Sequence, residues 1–304
     1  MDKKFSGEHD SSVNISLWKV LQWKLFKAPL GNRTSSSLHT KNESEKLSSK
    51  EDFICWLSHA GFLIQLGGKR IIIDPVFGKV PFYKRHTPFP YTLNKLLPID
   101  YLLISHSHYD HFDIPSLRQI AKHNPKAIVP QNMGKLLARR VKALEGKDLH
   151  WYESFEEEGL KITLVPAKHW SRRGIFDKNA VLWGGYIIEY DHTCIYFSGD
   201  TTTGEHFKEI GEKYDIDITI LPIGAYAPEF IMKHNHTNPQ EAYDAYLALN
   251  AKVMIPMHYG TFKLSDEPMD EPLTWIQQIK KETTSNIQCI QPGEVCFLNT
   301  MIQK

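Results

Sequence analysis

The sequence of 304 residues has only four cysteines, and no two of them form a Cys-x-x-Cys pair. This scattering argues against a disulfide framework or a zinc ribbon and favours buried thiols in a reducing compartment. Net charge is nearly absent, because 36 basic residues face 35 acidic ones, so bulk charge gives no support for nucleic-acid binding. No apolar run approaches the ~20 residues of a membrane-spanning helix, and the polar N-terminus lacks a secretory signal. We therefore expect a cytoplasmic globular protein without a nucleic-acid partner.

The sequence also lacks a Gly-rich phosphate loop, a Ser-His-Asp arrangement and a nucleotide-binding fingerprint. Histidine, in contrast, is abundant, with fifteen residues of which several stand in tight clusters. The histidines are therefore the first candidates for a functional site.

A polar, serine-rich stretch at residues 34–50 predicts a linker or a long surface loop. Before it, residues 15–27 place leucines at helical spacing among lysines and tryptophans, which predicts an amphipathic helix. Such a helix packs on its own domain or lies on a membrane surface, and both interpretations stay open. We divide the chain into an N-terminal helix with its linker, residues 1–50, and one larger domain, residues 51–304.

The larger domain is rich in strands, and its pattern occurs twice. Residues 62–74 and 186–200 each predict two strands joined by a tight turn, and the two hairpins end in Asp74 and Asp200. Each hairpin is followed by a short apolar strand and then by a helix that leads into another strand. This repetition predicts an α/β fold of two duplicated halves, with two sheets packed face to face and helices outside. A chance alternation of strands and helices is the alternative.

The densest histidine cluster is the segment HSHYDH at residues 106–111, directly after a short apolar strand. Three imidazoles and a carboxylate are costly to bury without partners, and strand ends in α/β folds are where ligands gather. Zn²⁺ binds such nitrogen and oxygen donors, and two nearby ions could share them. A histidine-rich surface loop is the alternative. His169, Asp200 and His258 stand at comparable strand ends, so we expect them at the same edge of the sheets.

In this order the motifs resemble the metallo-β-lactamase superfamily of binuclear zinc hydrolases. Within it, the sequence is most similar to the N-acylphosphatidylethanolamine-hydrolysing phospholipase D family. The likeness spans about residues 53–275 and depends on the motifs WLSHAGFLI, HSHYDHFD, PAKHWSRR, SGDT, LPIGAYAP, KHNHTNPQEA and MHYGTF. The resemblance implies a four-layer αβ/βα sandwich that carries a zinc-dependent phosphodiesterase.

The resemblance also implies seven ligands for two zinc ions, although other divalent transition metals remain open. The ligands of one ion are His106, His108 and His169, those of the other are Asp110, His111 and His258, and Asp200 bridges both. Two such ions at ~3.5–4 Å from each other can hold a nucleophilic hydroxide, which Asp110 would orient.

Other residues near these motifs are candidates for substrate binding or support. The resemblance implies that His236 contacts the substrate phosphate or acts as a general acid, whereas a solvated residue that caps the next helix is the alternative. Arg172 and Arg173 either bind an anionic head group or are solvated. His59 either supports the metal ligands or is a core histidine.

The resemblance predicts a phospholipase D-type enzyme that cleaves N-acylphosphatidylethanolamine-like lipids. The alternative is a zinc hydrolase of small soluble lactones, esters or phosphodiesters. A diiron oxidoreductase of the superfamily would carry HxExD, so His108 argues against it. The aromatic and basic segment 75–91 suits a lipid with an anionic head but could equally cover the core. Peripheral membrane contact and a homodimer are the remaining expectations about partners.

Overall fold

The computed structural model describes residues 4–7, 9–11, 36–142 and 144–302. The helix predicted for residues 15–27 lies outside these described residues. The strands in the described ranges are β1 (Phe53–Ser58), β2 (Gly61–Leu66), β3 (Lys69–Ile73), β4 (Tyr101–Leu103), β5 (Lys126–Pro130), β6 (Gly146–Leu149), β7 (Ser154–Glu157), β8 (Leu160–Val165), β9 (Gly185–Tyr190), β10 (Thr193–Phe197), β11 (Ile218–Pro222), β12 (Val253–Met257) and β13 (Val295–Phe297).

The α-helices of the same ranges follow the strands on the outside of the fold. They are α1 (Leu93–Leu96), α2 (Ile114–Ile120), α3 (Met133–Arg140), α4 (His206–Lys213), α5 (Glu229–Met232), α6 (Pro239–Ala248), α7 (Glu271–Glu282) and α8 (Leu298–Ile302). Short 3₁₀ turns occur at Lys46–Ser48 and Ala121–His123. Across the part of the chain that the structure describes, no helix combines the length and apolar character needed to cross a bilayer.

The strands form two sheets with the same internal pairing, as the repeated pattern predicts. The first sheet has the order β13-β1-β2-β3-β4-β5-β6 and the second has the order β12-β11-β10-β9-β8-β7. In each sheet an antiparallel hairpin, β2–β3 or β9–β10, continues into two parallel strands. Gly67, Gly68 and Asp191 occupy the hairpin turns with positive φ, which matches the turn signals in the sequence.

The two sheets pack face to face, and helices cover their outer faces. Phe62 of the first sheet and Phe197 of the second meet with ring centroids 6.2 Å apart. The hydroxyl of Tyr186 on β9 donates to the backbone oxygens of Ile104, at 2.8 Å, and Ile128, at 3.1 Å, which ties the second sheet to the first. Leu117 of α2, Ile210 of α4 and their neighbours complete the outer cores. The layers are therefore helix, sheet, sheet and helix, as expected.

The described part of the polar stretch, residues 36–50, packs against this domain. Leu38 and Leu47 are buried, each in one of the two large core clusters. The guanidinium of Arg70 on β3 donates to the backbone oxygen of Leu47. These contacts attach residues 36–50 to the sandwich, and the domain boundary at residue 50 stays a prediction.

Strand direction decides where the loops meet. In the first sheet β1, β3, β4 and β5 run in one direction, and in the second β8, β10, β11 and β12 do so. The chain turns sharply at several of their carboxyl ends, where Asp74, Gly199 and His258 have φ values of 40°, 63° and 63°. Left-handed backbone at a non-glycine residue is costly and persists where the surroundings enforce it. These turns bring the polar residues that follow the strands to one edge.

Candidate metal centre

The segment that follows β4 is held by a buried carboxylate. The backbone N–H of Ser105 donates to Asp74 Oδ1 at 2.8 Å, and the Ser105 hydroxyl donates to the other oxygen of Asp74. His111 Nδ1 donates to Asp74 Oδ2 at 2.7 Å, so its Nε2 faces the opposite way, toward the end of the sheets. Asp74 therefore holds the His111 ring in the orientation and tautomer that a metal-binding histidine needs.

Three imidazoles converge at one point of the site. His106 Nε2 lies 2.9 Å from His108 Nδ1, and His169 Nε2 lies 3.2 Å from the same atom. Two ligand nitrogens on one tetrahedral zinc ion, each about 2.0–2.1 Å from it, are about 3.3 Å apart. This spacing fits a single metal ion bound by the three nitrogens.

A second group of donors lies beside the first. Asp110 Oδ2 is 3.8 Å from His111 Nε2 and 3.5 Å from His258 Nε2. All of these atoms, together with a nitrogen of His59, lie within 4.8 Å of one another. One carboxylate and two imidazoles are a set of donors that suits a divalent transition metal.

Asp200 stands between the two groups. Its Oδ2 is 3.8 Å from His106 Nε2, 3.9 Å from His169 Nε2 and 3.2 Å from His111 Nε2, whereas Oδ1 is 3.2 Å from His258 Nε2. We call the whole set the His/Asp cluster. Its members are His106, His108, Asp110, His111, His169, Asp200 and His258.

Buried atoms without hydrogen-bond partners show that the cluster fits metal ions. His111 Nε2, His258 Nε2 and Asp200 Oδ1 are each buried and make no hydrogen bond within the described structure. Leaving such groups unpaired is costly, and a cation that accepts their lone pairs removes the cost. The seven residues predicted as ligands therefore come together in an arrangement that fits divalent metal ions.

The carboxylates of the cluster are held in the ionised state. Burial raises the pKa of Asp200, but the neighbouring His111 and His258 outweigh burial and hold it well below its usual range. Burial lowers the pKa of His258, but Asp200 and Asp110 outweigh it and raise the value to about 9. The pKa of His111 is raised well above its usual value in the same way. Negative charge at this edge therefore attracts cations, either protons or metal ions.

The three imidazoles of the first group behave differently. Burial lowers the pKa of His106 and His169 well below the usual range and that of His108 to about 4. They are therefore neutral at neutral pH, which is the form of histidine that binds metal ions.

Two supporting residues surround the ligands. His59 Nε2 and Asp110 Oδ2 are 3.0 Å apart, and the backbone oxygen of His59 accepts the N–H of His258 at 3.0 Å. The sequence motifs point to His59 as a candidate supporting residue, whereas they indicate no role for Asp74. Asp74 and Asp200 each follow the second strand of a repeated hairpin, β3 or β10, and this repetition was the available signal.

His236 lies at the margin of the His/Asp cluster. Its Nδ1 is 3.8 Å from Asp200 Oδ2, is buried and makes no hydrogen bond in the described structure. The side chain does not cap the following helix, because Asn238 accepts from the N–H of Glu241 and Glu241 accepts from the N–H of Asn238. The structure thus removes the capping alternative for His236.

The two arginines predicted near the substrate have partners in the protein. Arg173 donates to the backbone oxygens of Ser107, at 3.2 Å, and Phe112, at 2.7 Å, and stacks on the Tyr109 ring. Arg172 is exposed and donates to backbone oxygens of its own loop. The structure therefore brings neither guanidinium group into the His/Asp cluster, and Arg173 braces the loop that carries His108 and Asp110.

Comparison with known proteins agrees with this geometry. A model of the beta-lactamase superfamily domain matches residues 69–259. The N-acyl-phosphatidylethanolamine-hydrolyzing phospholipase D 1 of Caenorhabditis elegans is 33% identical over 266 residues, which cover 80% of this chain and 72% of the relative. A metal-dependent hydrolase of Pelotomaculum thermopropionicum is 29% identical and is covered to 97%, with 79% of this chain aligned.

Solved structures of metallo hydrolases have a similar fold. The metallo hydrolase Igni18 from Ignicoccus hospitalis superimposes with a TM-score of 0.64 at 26% identity, covering 81% of this chain and 97% of that protein. Some relatives are longer, and the chain spans only 62% of the length of three mycobacterial proteins.

We expect zinc binding to the metal-free protein to release protons at neutral pH and to become tighter as the pH rises toward about 9. The raised pKa values of His111 and His258 keep both imidazoles protonated at neutral pH, and zinc must displace these protons. Calorimetric titration in buffers of different ionisation enthalpy measures the release. His258→Gln should release fewer protons than the unmodified protein. Binding without proton release would contradict the assignment of these imidazoles as ligands.

Proposed function

Because the chain belongs to the metallo-β-lactamase superfamily and is a metal-dependent hydrolase, we propose that its His/Asp cluster holds two zinc ions and hydrolyses phosphodiesters. The observation that carries the proposal is the position of Asp200, whose carboxylate lies within 4 Å of nitrogens from both donor groups. A carboxylate in that position can bridge two ions and balance their charge.

The proposed substrate is a phospholipid of the N-acylphosphatidylethanolamine type. The name of the nematode relative supports this substrate class, and that relative aligns with most of the chain. A phosphodiester suits the cluster because its displacement concentrates negative charge on phosphoryl oxygens, which nearby cations stabilise.

The residues of the chain have separate tasks in this reaction. When bound, two divalent ions lower the pKa of water and stabilise negative charge on the phosphoryl group. Asp110 is held by His59 on one side, which leaves it placed to accept a hydrogen bond from the attacking water. Asp74 fixes His111 through a hydrogen bond to its Nδ1. Arg173 holds the loop that carries Asp110 and His111 through the backbone oxygens of Ser107 and Phe112. The site is thus organised before substrate arrives.

His236 is the residue proposed to contact the substrate. Burial lowers its pKa to about 4, so it is neutral at neutral pH. A neutral imidazole whose Nδ1 lacks a protein partner can donate one hydrogen bond to a phosphoryl oxygen. This state favours a hydrogen-bonding role over that of general acid.

We also propose that the protein takes its lipid substrate from the surface of an anionic bilayer. Part of the segment 75–91 covers the core and part is open to solvent. Phe77 and Phe89 pack on the core, whereas Phe82 is fully exposed. The segment reaches residues beside the cluster, because the guanidinium of Arg85 donates to the Ser58 hydroxyl at 2.8 Å and Ser58 directly precedes His59.

A second exposed apolar tip stands in the loop after His169. Ile175 and Phe176 are largely exposed and border a surface groove of about 840 Å³. The basic residues of this groove are Lys4, Arg139, Arg140, Arg172 and Lys178. Exposed apolar side chains among cations are typical of proteins that bind anionic lipid surfaces.

Asp200→Asn is expected to reduce phosphodiester turnover by about 100-fold or more and to weaken zinc binding, because one unit of negative charge between the two ions is lost. Zinc content is measured by mass spectrometry. Turnover is measured on bis(p-nitrophenyl) phosphate, N-acylphosphatidylethanolamine and a panel of lactones, which also separates the lipid from the soluble-substrate alternative. A variant with both ions and full turnover would refute the bridging role.

His236→Ala is expected to lower phosphodiester turnover by about 100-fold, the typical effect of losing one hydrogen bond to developing negative charge. The zinc content should equal that of the unmodified protein. His234→Ala, two residues away, is the matched control and should retain turnover. If His236→Ala loses a zinc ion, the histidine is a ligand and the role proposed for it is wrong.

Replacing Phe82, Ile175 and Phe176 by serine is expected to weaken binding to vesicles of phosphatidylcholine and phosphatidylserine and to lower lipid turnover. Hydrolysis of bis(p-nitrophenyl) phosphate should be unchanged. Leu247→Ser, at an exposed apolar residue of α6, is the control and should change neither. An equal loss on lipid and soluble substrate would argue against bilayer contact and for a purely structural effect.

A further inference from the structure

The N-terminal residues 9–11 run beside His169, although about half of the chain separates them in sequence. The N–H of His169 donates to the backbone oxygen of His9 at 3.1 Å, and the N–H of Ser11 donates to the backbone oxygen of His169 at 3.0 Å. Asp10 and His169 thus form an isolated parallel β-bridge. The backbone of a proposed metal ligand is therefore held from a segment that precedes the matched range 69–259.

The same segment reaches the imidazole of His169 through Asn235. His169 Nδ1 is 3.0 Å from the backbone oxygen of Asn235 and must be the donor, because a carbonyl oxygen only accepts. The Asn235 side-chain oxygen accepts the Ser11 hydroxyl at 3.1 Å. Ser11, Asn235 and His169 therefore form a closed set of contacts that keeps the lone pair on His169 Nε2.

The segment has anchors of its own on the domain. The side-chain amide of Asn179 donates to Asp10 at 2.9 Å, and the N–H of Phe5 donates to the backbone oxygen of Asn179, also at 2.9 Å. Phe5 packs against the main core cluster. The segment is therefore held on the domain by contacts that do not involve His169, and it can restrict the position of His169.

We propose that residues 9–11 form a strap that positions His169 for metal binding. The inference rests on the proposed function, because it takes His169 as a zinc ligand. His169 lies in the loop after β8, outside any strand, and the β-bridge to Asp10 joins its backbone to residues 9–11 on both sides. Without the strap, the His169 backbone oxygen loses the N–H of Ser11 and its own N–H keeps only the backbone oxygen of Ala167, so the imidazole samples orientations that do not converge with His106 and His108. Partners that orient a ligand typically contribute 10–100-fold to metal affinity.

Ser11→Pro tests the strap, since proline has no N–H to donate to His169 and keeps the preceding residue extended. We expect about a 10–100-fold weaker zinc affinity for one of the two ions, measured by competition with a chromophoric chelator. Ser11→Ala loses only the hydroxyl and should weaken zinc binding less. Ser6→Pro places proline in the same segment away from the bridge, and its zinc affinity should equal that of the unmodified protein.

Unfolding of the metal-free variants by urea separates positioning from general stability. Lower stability of Ser11→Pro with unchanged zinc affinity overturns the strap. If Ser11→Pro does not fold, the double variant Asp10→Ala with Ser11→Ala detaches the side-chain anchors, and it too should weaken zinc binding. The proposed function fails separately, because in that case the unmodified protein itself binds no zinc.

Discussion

The structure depends on carboxylates buried at the edge where the two sheets meet, and the neighbouring imidazoles hold Asp110 and Asp200 in the charged state. Asp74 and Asp200 are buried, and Asp110 is nearly so. An ionised carboxylate buried without a partner costs more free energy than a domain of this size has to spare. The imidazoles around Asp200, some protonated and some neutral, are therefore the partners that allow this carboxylate to be buried in its charged state.

The His/Asp cluster forms at this edge because the two halves of the fold contribute different donors to one place. The first half supplies the segment 106–111, and the second supplies Asp200 and His258 from the ends of β10 and β12. Contact between the sheets, such as that of Phe62 with Phe197, sets their separation and hence the distances among these donors. Apolar packing between the sheets thus contributes to whether ions fit the cluster.

The repetition of the halves also shows how aspartates that follow equivalent strands can take two tasks. Asp74 and Asp200 follow equivalent strands, yet Asp74 accepts a hydrogen bond from His111, whereas Asp200 lies among the nitrogens of both donor groups. The difference comes from what each loop faces and not from the residue type. Residues such as Asp74, which hydrogen-bond to a candidate ligand, fix its tautomer and ring orientation. Metal affinity depends on both.

The sequence by itself determined the hairpins, the repeated halves and the dense segment 106–111, because turn residues and strand alternation act over a few positions. It also indicated His169, Asp200 and His258 through their places after apolar strands. Only the tertiary structure decided that Asn238 and not His236 caps its helix, that Arg173 braces a loop and that Ser11 reaches Asn235. These contacts join segments remote in sequence, and their partners are chosen by packing, which leaves no periodic signal along the chain.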